Sequence, residues 1–220
     1  VEREEFLARV REAAQSLGET QAVAGLPAPS NFDDPVEEFT RTLEAIDGEV
    51  HTGDPYDVVL GLAGEHRTFL SWSPAELPLS DLPERLQRAG LEMIDPAVPP
   101  DTRLAHQSSY LEVSLGITGA DAAFAESGSI VVTSGPGRPR MASLIPLVHV
   151  ALLPVDRIWP SLSDWVAATG GIPDAANVVF ISGPSRTGDI EQHLNLGVHG
   201  PKRLHVVLLP STVELAGGAT

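Results

Sequence analysis

Residues 147–154 read LVHVALLP, an apolar run broken only by His149. A strand with one wet face alternates polar and apolar side chains. This run barely alternates, so it predicts a strand buried on both faces, as in the parallel sheets of α/β proteins. Outward from it, SIVVTS (129–134), NVVFIS (177–182) and RLHVVLLP (203–210) read as further strands, and RTFLSW (67–72) as another. Between them lie helical patterns. GADAAFAESG (119–128) is alanine-rich, SLSDWVAATG (161–170) ends on Gly170, and DIEQHLNLG (189–197) ends on Gly197. GPGRPR (135–140) reads as a turn and MASLIP (141–146) as a single helical turn, while YLEVSLGIT (110–118) fits either strand or helix. Apolar strands alternating with helices imply an α/β fold, a mostly parallel Rossmann-like sheet with helices on both faces.

The first part of the chain is helical. Phe6, Leu7, Val10, Ala13, Ala14 and Leu17 recur at three- and four-residue spacing over 2–17. Pro35 opens a second helix lined by Val36, Phe39, Leu43 and Ile46, which Gly48 stops. Asp57 to Leu62 suits a short helix, and DLPERLQRAG (81–90) another. With no repeat and no internal linker, residues 1–220 read as one domain: a helical part over 1–50, a core over 110–210 and a frayed tail at 215–220.

Composition narrows the chemistry. Hydrophobic residues make up 42% of the chain and aromatics 5%, so Leu, Val, Ile and Ala must build the core. The longest mostly apolar segment, 144–155, is too short to cross a bilayer. The charged N-terminal helix has no signal-peptide core, so a cytoplasmic protein without membrane contact is expected. The net charge of −16 opposes nucleic-acid binding. Residues 1–110 hold 21 acids against 8 bases, a net of −13, which forms either a solvated face or a docking surface for a basic partner. There is no cysteine, which removes disulfides, thiol nucleophiles and cysteine-held iron–sulfur clusters from these residues.

The stretch GPSRTGDIE (183–191) follows a strand, and two active motifs fail in it. Gly183 and Gly188 have phosphate-loop spacing, but Asp189 stands where lysine must hold a phosphate. Ser185 sits as in a nucleophile elbow, but Thr187 replaces the closing glycine. As a strand-to-helix turn, Ser185 or Thr187 caps free amides, and Asp189 and Glu191 favour the helix dipole. Arg186 is unexplained by capping and suits an anionic ligand group. His199, beside Gly200, is a candidate for proton transfer or ligand binding. Glu126, beside Ser127, is a candidate base or nucleophile, or else a helix-end residue. Arg138 and Arg140 with Arg186 suggest a local anion site. His193, His199 and His205 recur every six residues, without HExxH, so no metal is expected. His149 and His205 read as hydrogen-bonded strand residues.

Three segments together, GITGADAAFAESGSIVV (116–132), GRPRMASLIPLVHVALL (137–153) and ISGPSRTGDIEQHLNLGVHGPKRLHVVLL (181–209), resemble the LUD-domain family, in its lactate-utilisation branch. The motif residues here are Glu126, Ser127, Gly128, Arg138, Gly183 to Arg186, Asp189, Glu191, His199 and Gly200. Ser127 replaces a usual threonine and Gly188 a usual alanine. The resemblance implies a fold like the phosphosugar isomerases and CoA transferases. It also implies an accessory subunit without its own cofactor, acting beside iron–sulfur subunits in oxidising L-lactate to pyruvate. The alternative is a stand-alone enzyme or binding protein for a carboxylate, phosphorylated or CoA-linked ligand. In that case Glu126, Arg138, Arg186 and His199 converge at the carboxyl ends of the strands, with Ser185, Thr187, Asp189 and Gly200 nearby.

Overall fold

The run that opens the sequence argument forms β7 (Val148–Pro154), buried at all seven residues. The computed structural model describes residues 3–16, 31–64, 66–95, 110, 112–187, 195–196 and 200–211. Strand β7 sits inside a six-stranded, all-parallel sheet. Its other strands are β1 (Glu49–His51), β2 (Thr68–Ser71), β3 (Glu92–Met93), β4 (Leu115–Gly119) and β12 (Arg203–Leu209). Their order is β1-β12-β7-β4-β2-β3. β12 and β7 pair over seven positions, from Arg203 beside Val148 to Leu209 beside Pro154. Periodicity does not reveal β1, β3 or the short β8 (Ile158–Trp159), because two or three residues carry no pattern.

Helices α2 (Pro35–Glu44) and α3 (Pro55–Ala63) start alike. Asp34 and Asp54 each accept two backbone N–H bonds, and proline occupies the first turn. Helix α1 (Arg3–Ser16) precedes them, and α4 (Leu82–Arg88), α5 (Met141–Leu144) and α6 (Leu162–Thr169) follow. Two glycines of β4 show both sheet faces covered. A Cβ on Gly116 would lie 1.9 Å from the Ala142 carbonyl oxygen of α5. A Cβ on Gly119, which points to the opposite face, would meet the Trp72 ring and Pro78, in the segment leading to α4.

A second sheet, ordered β8-β5-β6-β9, is built from β5 (Ala122–Phe124), β6 (Ser129–Ser134) and β9 (Asn177–Ile181) besides β8. It corrects two expectations. The alanine-rich segment 119–128 is not a helix. Ala122 and Ala123 are wholly buried in a strand antiparallel to β6, so tertiary packing overrides alanine's helix propensity. NVVFIS joins this mixed sheet instead of the parallel one, and Phe180 is 41% exposed.

The helix expected over 189–197 does not hold at 195–196. Asn195–Leu196 form β11, antiparallel to β10 (Arg186–Thr187), while 188–194 and 197 lie outside the described residues. Arg186 and Thr187 are therefore strand residues.

Candidate functional site

The order of strand addition reverses between β2 and β4, since β3 lies outside β2 and the chain then returns to β2's other side. Open α/β sheets characteristically bind ligands outside the carboxyl ends of such strands. Here that position is occupied by Arg138. Its Nε donates to Glu76 at 2.6 Å, and its Nη1 donates to Asp121 at 2.7 Å and to the Thr133 hydroxyl at 2.9 Å. The guanidinium lies 4.7 Å from the centre of the Trp72 ring. Burial works to lower the Arg138 pKa, but the hydrogen bonds and charges of Glu76 and Asp121 raise it on balance. Two carboxylates thus neutralise this cation. It clamps the Pro74–Glu76 turn, the end of β4 and β6 together. The adjoining cavity of about 360 Å³, which includes Ser71, Ser73 and Asp95, has no positive charge in its lining among the described residues.

Glu126 accepts a hydrogen bond from the backbone N–H of Leu162 at 3.2 Å, at the first turn of α6. A carboxylate there stabilises the helix end. Arg186 donates to the Ile46 carbonyl oxygen at 3.1 Å and pairs with Asp47, in the turn after α2. Glu126 thus meets the start of α6, Arg138 the carboxyl end of β4, and Arg186 the turn after α2. Asp189 and His199 lie outside the described residues.

Ser185 and Gly200 do come together. The Ser185 N–H donates to the Pro201 carbonyl at 2.9 Å, and a Cβ on Gly200 would lie 3.1 Å from the Ser185 Cβ. They border a cavity of about 270 Å³ whose polar lining also includes Ser143, His149 and Ser182. Its sheet wall is His149 and Leu204, each the second residue of its strand, so the cleft opens at the amino ends of β7 and β12.

His149 is fully buried. Its Nε2 lies 2.9 Å from the Thr118 hydroxyl, and its Nδ1 has no hydrogen-bond partner among the described residues. Burial, reinforced by the neighbouring His205, pushes its pKa down to about 4, so the imidazole is neutral at pH 7. A chain of hydroxyls runs from Ser127 through Ser129 to Ser182, with steps of 2.9 and 2.7 Å. No charged side chain lines the cleft among the described residues. The result is a neutral polar cradle, able to donate and accept hydrogen bonds but without a cation to grip a phosphate. Sequence reasoning placed Ser185 and Gly200 among the ligand-binding candidates but read His149 as a satisfied strand residue. The strand pattern shows that His149 is buried; it does not show that one nitrogen lacks a partner.

Comparison with known proteins agrees with this architecture. The LUD domain profile matches residues 36–209. A lactate utilization protein C from Exiguobacterium is 42% identical over 110 residues, covering 48% of each chain. Another, from Halalkalibacterium halodurans, is 36% identical over 144 residues, covering 62% of this chain and 60% of that protein. The chain thus matches only about half the length of these curated relatives. A crystal structure of a DUF162 family protein from Deinococcus radiodurans superposes with a TM-score of 0.54 over 79% of this chain and 95% of that one. At 17% identity it is a likeness of fold alone. The profile match runs from the first turn of α2 to the end of β12, and so includes every strand of the parallel sheet and the described walls of the cleft; this chain belongs to the LUD-domain family.

Proposed function

We propose that this chain serves the oxidation of L-lactate to pyruvate as a subunit without redox centres of its own, beside iron–sulfur partner proteins. The observation that carries this reading is the family match over 36–209 together with relatives named lactate utilization protein C. Lactate oxidation releases two electrons. With no cysteine among the 220 residues, cysteine-ligated clusters that could receive them belong to partners. The acidic first half, net −13 over residues 1–110, offers a docking surface for a basic partner.

The Ser185–Gly200 cleft is our proposed ligand site, and a small hydroxy- or keto-carboxylate suits it. Ser143, Ser182 and Ser185 supply hydroxyls, and the neutral His149 ring forms part of the wall. A phosphorylated or CoA-linked ligand carries more negative charge than a monocarboxylate and suits it less, because no cation lines the cleft among the described residues.

Calorimetric titration of the purified chain with L-lactate and with pyruvate tests the site. One saturable event is expected, weakened about tenfold by Ser185→Ala or Ser182→Ala, the loss of roughly one good hydrogen bond. The same affinity in both variants contradicts the assignment.

A further inference from the structure

We propose that Glu49, His51 and His205 form a binding site for a single borderline divalent cation of the zinc class, which staples the edge strand β1 to the sheet. Parallel pairing sets Glu49 beside His205 and His51 beside Val207. Residues two apart on a strand share a face, so Glu49 and His51 both stand on the His205 side of the pair. The His51 Nε2 lies 2.9 Å from the His205 Nδ1, and the Glu49 Oε2 lies 3.6 Å from that same Nδ1. The three potential ligand atoms all fall within 4.8 Å of one another.

Those spacings suit a tetrahedral ion. Zinc–nitrogen bonds of about 2.0–2.1 Å separate adjacent ligand atoms by roughly 3.3 Å, so the two ring nitrogens need part by only about 0.4 Å. Two imidazoles and a carboxylate favour zinc or its borderline neighbours over magnesium or calcium, which prefer all-oxygen shells. The Arg203 guanidinium lies 3.2 Å from the Glu49 Oε1, which leaves Oε2 facing the histidines. Arg203 thereby orients the carboxylate, while its charge opposes a cation. His205 Nε2 is buried without a partner among the described residues, so the outer shell lacks its usual support on that side. Both features set the affinity below that of a closed structural zinc site. Glu49 is exposed and His51 half-buried, which leaves an approach and a fourth position for water.

The ion's role follows from topology. β1 is three residues long and ends the parallel sheet, so little backbone pairing holds it. A cation shared between β1 and β12 fixes that edge. Sequence spacing points away from a metal because it sees His205 only beside His193 and His199. Its nearest ring partner is 154 positions away. The site shares no residue with the Ser185 cleft, so its test is independent of the lactate reading.

The experiment is competition of the chelator-stripped chain for Zn²⁺ against a chromophoric indicator, with thermal melts in parallel. One equivalent is expected to bind with a Kd below about 10 µM and to raise the melting temperature. His51→Ala and Glu49→Gln, both at accessible positions, are expected to fold, to weaken binding about tenfold or more and to lose the thermal shift. His66→Ala, which removes a ring that pairs with Ser114 and not with the three ligands, is expected to bind as the parent does. No binding below about 100 µM overturns the site, as does equal affinity in the parent and the two ligand variants.

Discussion

The Arg186 side chain donates to the main-chain oxygen of Ile46 at 3.1 Å, and Gly183 lies against that same oxygen. The glycine-rich turn after β9 is thereby docked onto the turn that follows α2. Gly183 has φ +80°, and a Cβ there would stand 2.5 Å from the Ile46 oxygen. Left-handed backbone costs an L-residue roughly 1–2 kcal/mol before any clash. Gly183→Ala is therefore expected to lower stability by about 2 kcal/mol or more in urea denaturation. Arg186→Ala should cost less, since its partner Asp47 is largely exposed. Equal stability of Gly183→Ala and the parent refutes the close docking.

Arg138 is expected to matter for stability before ligand binding. Arg138→Met strands Asp121 and Glu76, both only partly solvated, and should cost about 2–3 kcal/mol. Adding Asp121→Asn should recover part of that loss. A double-mutant cycle in denaturant measures the coupling, and a coupling near zero contradicts the clamp.

Acid sensitivity should trace in part to His149. Its pKa is pushed down to about 4 in the fold, while an imidazole in the unfolded chain titrates near 6.5. Between those values the unfolded state binds more protons, so stability is full above about pH 6.5 and falls as the pH drops towards 4. The loss from this group alone approaches about 3 kcal/mol. Denaturant melts at pH 7 and pH 4.5 read the slope. His149→Gln should flatten it relative to the parent, and an unchanged slope would assign the titration elsewhere.

The parallel sheet was legible because its long strands are apolar on both faces: β7 and β12 announce themselves. Capping residues likewise marked the start of α2 and the end of α6. The second sheet was not legible, since Ala122 and Ala123 carry helix propensity and only their burial makes them strand. Gly116 shows the same limit. Nothing local says that a helix carbonyl will sit 1.9 Å from where its Cβ would be. At the candidate cleft, Ser185 and Gly200 are singled out by the family resemblance. The unpartnered, buried nitrogen of His149 and the pairing of His51 with His205 were not legible, because each depends on strand register between distant segments.

The most direct measurement is affinity isolation of the native protein, with iron content and lactate oxidation assayed on the complex and on the separated chain. Co-isolation with iron–sulfur subunits is expected, with L-lactate oxidised by the complex and not by the chain alone. Robust lactate oxidation by the separated chain, or its isolation free of iron-bearing partners from cells growing on lactate, would contradict the role proposed for it.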